Sequence, residues 1–170
     1  MAMTAQLTPD DSVARTIGEL LIARGERVAV CETTAGGLIS ARLLSVPGAS
    51  AWFDRGVVTY GGQSKQQLTG VDSDMLRTSG AVSVEAVQAM AEGLRALAGT
   101  AWAVAESGIA GPQTSRRSIK PAGSVAIAVV GPDHVSSADL VLPGDRVEVM
   151  GGIADAVLSM LEQALRTTGG

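Results

Sequence analysis

Residues 28–40 read VAVCETTAGGLIS: an apolar run, two threonines, two glycines and a return to apolar residues. Thr33 and Thr34 stand where a strand would hand over to a helix. A helix N-terminus presents unpaired N–H groups and positive partial charge. Hydroxyls there suit a phosphate, or an oxyanion developing beside a hydroxyl nucleophile. The segment is no P-loop, because no Gly-Lys-Ser/Thr follows, and no G-x-S-x-G elbow. A structural use fits the same residues: a threonine N-cap, with glycines that allow tight packing. The local pattern leaves both open.

Tyr60 and Lys65, in TYGGQSK, are the next residues able to do chemistry. A lysine serves as general base when burial or nearby charge brings its pKa down from about 10.4. A hydroxyl–lysine pair needs no histidine, which matters in a chain whose single His, His134, has no evident partner. Lys65 equally fits a solvated lysine at a helix start. Arg146 falls in the first turn of the last expected helix, where the macrodipole disfavours a cation. An anion such as phosphate gives an arginine a reason to be there; an exposed surface arginine is the alternative. Residues 113–120, QTSRRSIK, gather three cations in a loop that is either solvated or helps admit an anionic substrate. His134 reads as part of a hairpin turn, Cys31 as part of a strand, and Trp52 and Trp102 as core or interface residues.

An alternation of helical and strand-like patterns supplies the frame. TPDDSVARTIGELLIARG opens with Thr8 as N-cap and Pro9 at the first helical position. Val13, Ile17, Leu20 and Leu21 share a face, and Gly25 closes the helix. RVAVCE is a short buried strand, and residues 35–45 are helical up to the stop that Pro47 imposes. FDRGVVTYG is a second strand, followed by a short helix through SKQQLTG. Residues 83–98 carry Val87, Ala91, Leu94 and Ala98 on one helical face. AWAVAES is a third strand that ends in SGIAGP. AGSVAIAVVG and HVSSADLVL pair around Gly131-Pro132-Asp133. In the last helix Asp145 and Glu148 have capping-box spacing, and Met150, Ala154, Val157, Leu158, Leu161 and Leu165 form the apolar stripe. Gly151-Gly152 weaken its middle or let it pack closely on a neighbour. The fold class is α/β: a three-layer α/β/α sandwich on a mixed, mostly parallel sheet with one antiparallel strand. Ligands collect at the carboxyl ends of such strands, where ETTAGG, TYGGQSK and ESGIAGP all fall.

Composition bounds the function classes. A chain of 170 residues with 46% apolar and 18% charged residues builds one domain, residues 1–170. Aromatics are only 2%, so Ala, Val, Leu, Ile and Met must fill that core. A net charge of -4 argues against nucleic-acid partners. No apolar run reaches the roughly 20 residues of a membrane span, and MAMTAQLTPDD lacks a signal-peptide pattern. One Cys fits a reducing cytoplasm. One Cys and one His leave no Cys/His metal site.

CETTAGGLIS, GASAWFDRGVVTYGGQSKQQLTGV, GAVSVEAVQAMAEG, SGIAGP, KPAGSV and the final GDR, in that order, carry a family resemblance. From about residue 10 to 166 the chain resembles the C-terminal domain family of the competence/damage-inducible protein CinA, whose stand-alone members are nicotinamide mononucleotide deamidases. The resemblance implies hydrolysis of the carboxamide to nicotinic acid mononucleotide and ammonia, with no metal or other cofactor. It places the nucleophile at Thr33, with Glu32 as the preceding acid, Lys65 as base and Tyr60 beside it. Ser107 would contact the amide or orient the lysine, and Arg146 would hold the phosphate. The oxyanion would meet the backbone N–H groups of Ala35, Gly36 and Gly37, with Thr34 also at the substrate. Partners implied are a small-molecule nucleotide and further copies of the chain, a homo-oligomer of two or more, which the Trp-bearing GASAWF also favours.

The departures fall in the same loops. The family pattern A-E-S-C-T-G-G becomes C-E-T-T-A-G-G, so serine, cysteine and threonine are Thr33, Thr34 and Ala35. The Ser-Asn after the tyrosine is Gly61-Gly62, and QTSRRSI replaces an acidic, glycine-rich loop. Threonine keeps the hydroxyl while its methyl restricts the torsion that aims it. Two further readings therefore accompany the deamidase: a nucleotide-binding or regulatory module that has lost the reaction, and a hydrolase for a related substrate.

Overall fold

The computed structural model describes residues 11–112 and 119–168. The first helix starts later than expected. Asp11 is the N-cap of α1 (Ser12–Arg24), its carboxylate accepting the Ala14 N–H at 3.1 Å. A carboxylate satisfies an otherwise unpaired amide and suits the positive end of the helix. Thr8 and Pro9 lie outside the described residues. The chain continues through β1 (Val28–Glu32), α2 (Leu38–Leu44), a short 3-10 turn (Ala49–Ala51) and β2 (Phe53–Val58). Then come α3 (Gly62–Thr69), α4 (Ser73–Ser79), α5 (Val84–Ala98), β3 (Trp102–Gly108), β4 (Ser124–Gly131), β5 (His134–Val141) and α6 (Arg146–Thr167). Helix α4 is an addition to the expected elements: it buries no residue, so it leaves no apolar periodicity to read, and its main local signal is the Asp72 cap.

The sheet runs β2-β1-β3-β4-β5. β1 lies parallel to β2 and β3, and β4 is antiparallel to both β3 and β5. β4 is thus the single reversed strand of the expected α/β/α sandwich. Side chains alternate across each strand, and the two faces differ in kind. Val28, Val30, Trp102, Val104, Val125, Ile127 and Val129 meet α1, α2 and α6. The opposite face offers Ala29, Cys31, Ala103, Ala105, Ala126 and Ala128 to α5. Small side chains let that helix lie close, so a core with few aromatics can still bury this face of the sheet.

Two contacts fix the helices that carry the candidate residues. A Cβ at Gly93, on α5, would fall 1.6 Å from the Thr69 carbonyl oxygen, so the glycine lets the end of α3 dock against α5. Asp145 caps α6 through the Val147 and Glu148 amides, while the Glu148 carboxylate returns to the Asp145 N–H at 2.7 Å. This is the expected capping box, and α6 runs unbroken through Gly151-Gly152 with Gly152 against Leu142. Trp52 and Trp102 are both buried within the chain, so neither offers its ring to a second copy. His134 opens β5 and lies 5.8 Å, centroid to centroid, from the Trp102 ring. Among the described residues no helix is long and apolar enough to cross a membrane.

Candidate active site

The parallel strands end together. Glu32 pairs with Val58 and Cys31 with Ala105, so the turns after β1, β2 and β3 leave the sheet at one edge. Two fully buried carboxylates organise the first turn. Glu32 accepts from Gly37 and Ile39 N–H on one oxygen (2.8 and 3.1 Å), and from the Ser40 N–H and hydroxyl on the other (2.8 and 2.6 Å). It therefore caps α2, whose own flanking residue is a glycine. Expected at the substrate, Glu32 is consumed in holding the helix start. Glu106, from β3, places Oε1 against the Thr33, Thr34 and Ala35 amides at 2.5, 2.7 and 2.9 Å.

Those bonds correct the expected oxyanion site. Ala35 and Gly37 have already spent their N–H groups on Glu106 and Glu32. Gly36 is exposed, and its N–H meets no acceptor among the described residues. Gly36 and Gly37 take φ of 66° and 104°, a region open to glycine and strained for other residues. The glycine pair thus turns the chain so that two carboxylates can take its amides.

Thr33 and Thr34 are each 5% exposed. The Thr33 hydroxyl donates to the Glu106 carbonyl at 2.6 Å. Thr34 donates to the Gly108 carbonyl and accepts the Gly108 N–H, at 3.0 and 2.8 Å, so it stitches the turn to β3 and is not free for substrate. The Ser107 hydroxyl makes no hydrogen bond among the described residues. By strand alternation it lies on the α5 face of the sheet, with Ala103 and Ala105.

Lys65 is 4% exposed on α3. Its Nζ donates to the Thr59 and Tyr60 carbonyls at 3.0 and 3.2 Å. Burial holds its pKa below the ordinary lysine value, with the Cys31 thiol and Glu106 opposing that shift. No hydrogen bond joins Lys65 to Thr33. Tyr60 is 67% exposed. Arg146 binds the Gly111 carbonyl at 2.8 Å and approaches the Tyr60 hydroxyl at 3.4 Å, tying the starts of α3 and α6 to the loop after β3. Arg146, expected at the phosphate, and Tyr60, expected beside the lysine, thus lie together at the rim. Of QTSRRSIK, residues 113–118 lie outside the described residues, while Lys120 pairs with Asp139 at 3.3 Å. Cys31 faces the Thr59 hydroxyl at 3.3 Å, and burial pushes its thiol up to about 11. Among the described residues no group of three or more His, Cys, Asp or Glu is placed to hold a metal.

Glu106 is the residue that sequence reading passes over. AVAES reads as strand, but period-2 alternation puts Glu106 on the same face as Trp102 and Val104, and a carboxylate there must find partners. Burial pushes its pKa up to about 7, against the lowering effect of the Ala35, Thr33 and Thr34 amides and with added repulsion from Glu32. Unfolded, the same carboxyl releases its proton near 4.5. Between those values the folded chain binds more protons than the unfolded one, so stability falls as pH rises through the window and levels above it. The shift is worth about 3 kcal/mol. Denaturant titrations at pH 5 and pH 8 should show the wild-type chain losing about that much more than Glu106→Gln over the same interval.

A family model described as the CinA C-terminal domain matches residues 10–165. The chain is 43% identical over 158 residues to a CinA-like protein of Anaeromyxobacter dehalogenans (strain 2CP-1 / ATCC BAA-258), a match covering 93% of this chain and 37% of that protein. It is 39% identical over 161 residues to a CinA-like protein of Frankia casuarinae, covering 95% of this chain and 36% of that one. The chain thus spans little more than a third of the curated relatives it matches. Its fold is similar to the crystal structure of the competence/damage inducible protein CihA from Agrobacterium tumefaciens, with a TM-score of 0.87, 32% identity and 98% and 99% of the two chains covered. The competence damage-inducible protein A (ComA) from Klebsiella pneumoniae gives 0.86 and 32%, over 91% and 95%.

Proposed function

The chain belongs to the CinA C-terminal domain family, and from that premise we propose that it deamidates nicotinamide mononucleotide through a threonine nucleophile and a lysine base. The observation that carries the proposal is Lys65: an amine only 4% exposed, held by two carbonyls, with its pKa brought down by burial. Two carbonyl bonds would serve a structural lysine as well, but a general base also needs its neutral form within reach of the working pH, and burial moves it that way. Thr33 Oγ1 attacks the carboxamide carbon and its proton passes to Lys65. The tetrahedral adduct then expels ammonia with that proton, leaving an ester on Thr33. Water, deprotonated by Lys65, hydrolyses the ester and restores the threonine. Gly36 N–H and the Ser107 hydroxyl, neither hydrogen-bonded among the described residues, are donors for the oxyanion. Arg146 and Tyr60 receive the phosphate at the rim.

One observation favours a second reading, a nucleotide-binding module without turnover. The Thr33 hydroxyl is bound to a carbonyl, so it must rotate off Glu106 before it can pass its proton to an amine. Incubation with nicotinamide mononucleotide, followed by ammonia release and mass spectrometry of the product, separates the two. The deamidase gives equal amounts of ammonia and nicotinic acid mononucleotide; the module binds the intact nucleotide and gives neither. Thr33→Ser removes the methyl that restricts the torsion and should raise the rate, by up to about 100-fold.

A further inference from the structure

The turn that carries Thr33 is held by a residue to which neither the family resemblance nor the proposed reaction gives a role. We propose that Glu106 is the positioning residue of this turn: its carboxylate gathers the amides of Thr33, Thr34 and Ala35 and so fixes where the nucleophile stands, while its carbonyl takes the Thr33 hydroxyl and sets the resting rotamer from which it turns to react. The geometry supports this at both ends of Thr33, with the amide on Oε1 at 2.5 Å and the hydroxyl on the backbone oxygen at 2.6 Å. Three N–H groups converge on Oε1, while Oε2 is buried with no hydrogen-bond partner among the described residues.

A plain strut would not take this form. A carboxylate buried with one oxygen unpaired is costly, and an apolar residue at this point of β3 would pack with Val104 at no such cost. What the carboxylate supplies, and an apolar side chain does not, is a single acceptor that fixes three consecutive amides. The ionised form holds them more tightly than the neutral one, because hydrogen bonds to charged groups are the stronger kind. The titratable groups facing Glu106 are Glu32 on β1, whose charge disfavours ionisation, and Lys65 on α3, with which it attracts. The Cys31 thiol of β1 also feels its charge, and α2 meets the turn through amides that Glu32 caps. Ionisation of Glu106 thus strengthens its three bonds to the turn as pH rises, while burial of the charge lowers the stability of the chain as a whole.

The catalytic meaning of this inference rests on the proposed deamidation, but its test does not. Amide shifts of Thr33, Thr34 and Ala35, and the Thr33 χ1 couplings, are followed by NMR from about pH 5.5 to 8.5, without substrate. In the wild-type chain the three amides should move together with a midpoint near 7, the region to which burial pushes Glu106. In Glu106→Gln, which keeps an acceptor but no charge, they should not titrate and Thr33 should keep one rotamer. Glu106→Ala keeps the backbone carbonyl but strips the three amides of their shared acceptor, so the turn should drift off that carbonyl and the Thr33 rotamers should average, and on nicotinamide mononucleotide kcat should fall about 100-fold with KM within a few-fold. A wild-type chain whose amides do not titrate, or an alanine variant that keeps a single Thr33 rotamer and full kcat, overturns the proposal. If the alanine variant does not fold, the glutamine variant decides alone: loss of the titration supports the proposal, and an unchanged titration overturns it. A wild-type chain without turnover would sink the deamidase reading and leave the amide titration to judge Glu106.

Discussion

Lys65→Ala should lower the deamidation rate by about 10³-fold, the usual scale for removing a general acid–base group, while the chain stays folded. The fold should tolerate the change because the amine is a desolvated charge whose loss relieves as much as it removes: two carbonyl contacts go, and so does the cost of burial. Lys65→Arg should not rescue, since a guanidinium stays protonated and cannot accept the threonine proton. The pH profile carries the same signature. Burial lowers the folded pKa of Lys65 below its ordinary value, so the neutral, active amine forms at lower pH than in a free lysine. Activity should accordingly rise with pH through that lowered value. Steady-state rates within tenfold of wild type in the alanine variant would remove Lys65 from the mechanism.

The largest loss of stability should come from Glu32→Ala. Its carboxylate is fully buried and takes the amides of Gly37, Ile39 and Ser40 together with the Ser40 hydroxyl. Alanine leaves these donors without partners at the start of α2, where no other side chain caps the helix. Each buried donor without a partner costs about 1–3 kcal/mol, offset in part by release of a buried charge, so the net loss should be at least about 3 kcal/mol. Urea unfolding monitored by the two tryptophans measures it, and a loss below about 1 kcal/mol would show that water replaces the cap. The contrast with Lys65 is informative: both groups are buried near one strand end, yet one holds the scaffold and the other is expected to do the chemistry.

Much of the scaffold is legible in the sequence because its signals are local. Asp145 and Glu148 announce the capping box of α6, and the alternating strands and helices announce the sandwich with its one reversed strand. The site is legible as three strand-end turns and not as a network. What escapes are partners far apart in the chain. Glu106 holds amides that lie 71 to 73 residues earlier, and Thr34 bonds a residue 74 positions later. Spacing within a turn says that its N–H groups are available; only the fold says that two carboxylates have already taken them. Asp11 is overlooked for a simpler reason: the Thr-Pro pair just before it carries the stronger N-terminal signal in sequence, while the cap that holds the Ala14 amide is the Asp11 carboxylate. α4 sets only the half-buried Leu76 against the core, too little apolar periodicity to separate it from a loop.

The most direct test runs the wild-type chain and Thr33→Ala side by side on nicotinamide mononucleotide, with ammonia and nicotinic acid mononucleotide both measured. The wild-type chain should form the two products in equal amounts, and the alanine variant should form neither at a detectable fraction of that rate. Ammonia release that survives in Thr33→Ala, or a wild-type chain that binds the nucleotide and returns it unchanged, would contradict deamidation by a threonine nucleophile.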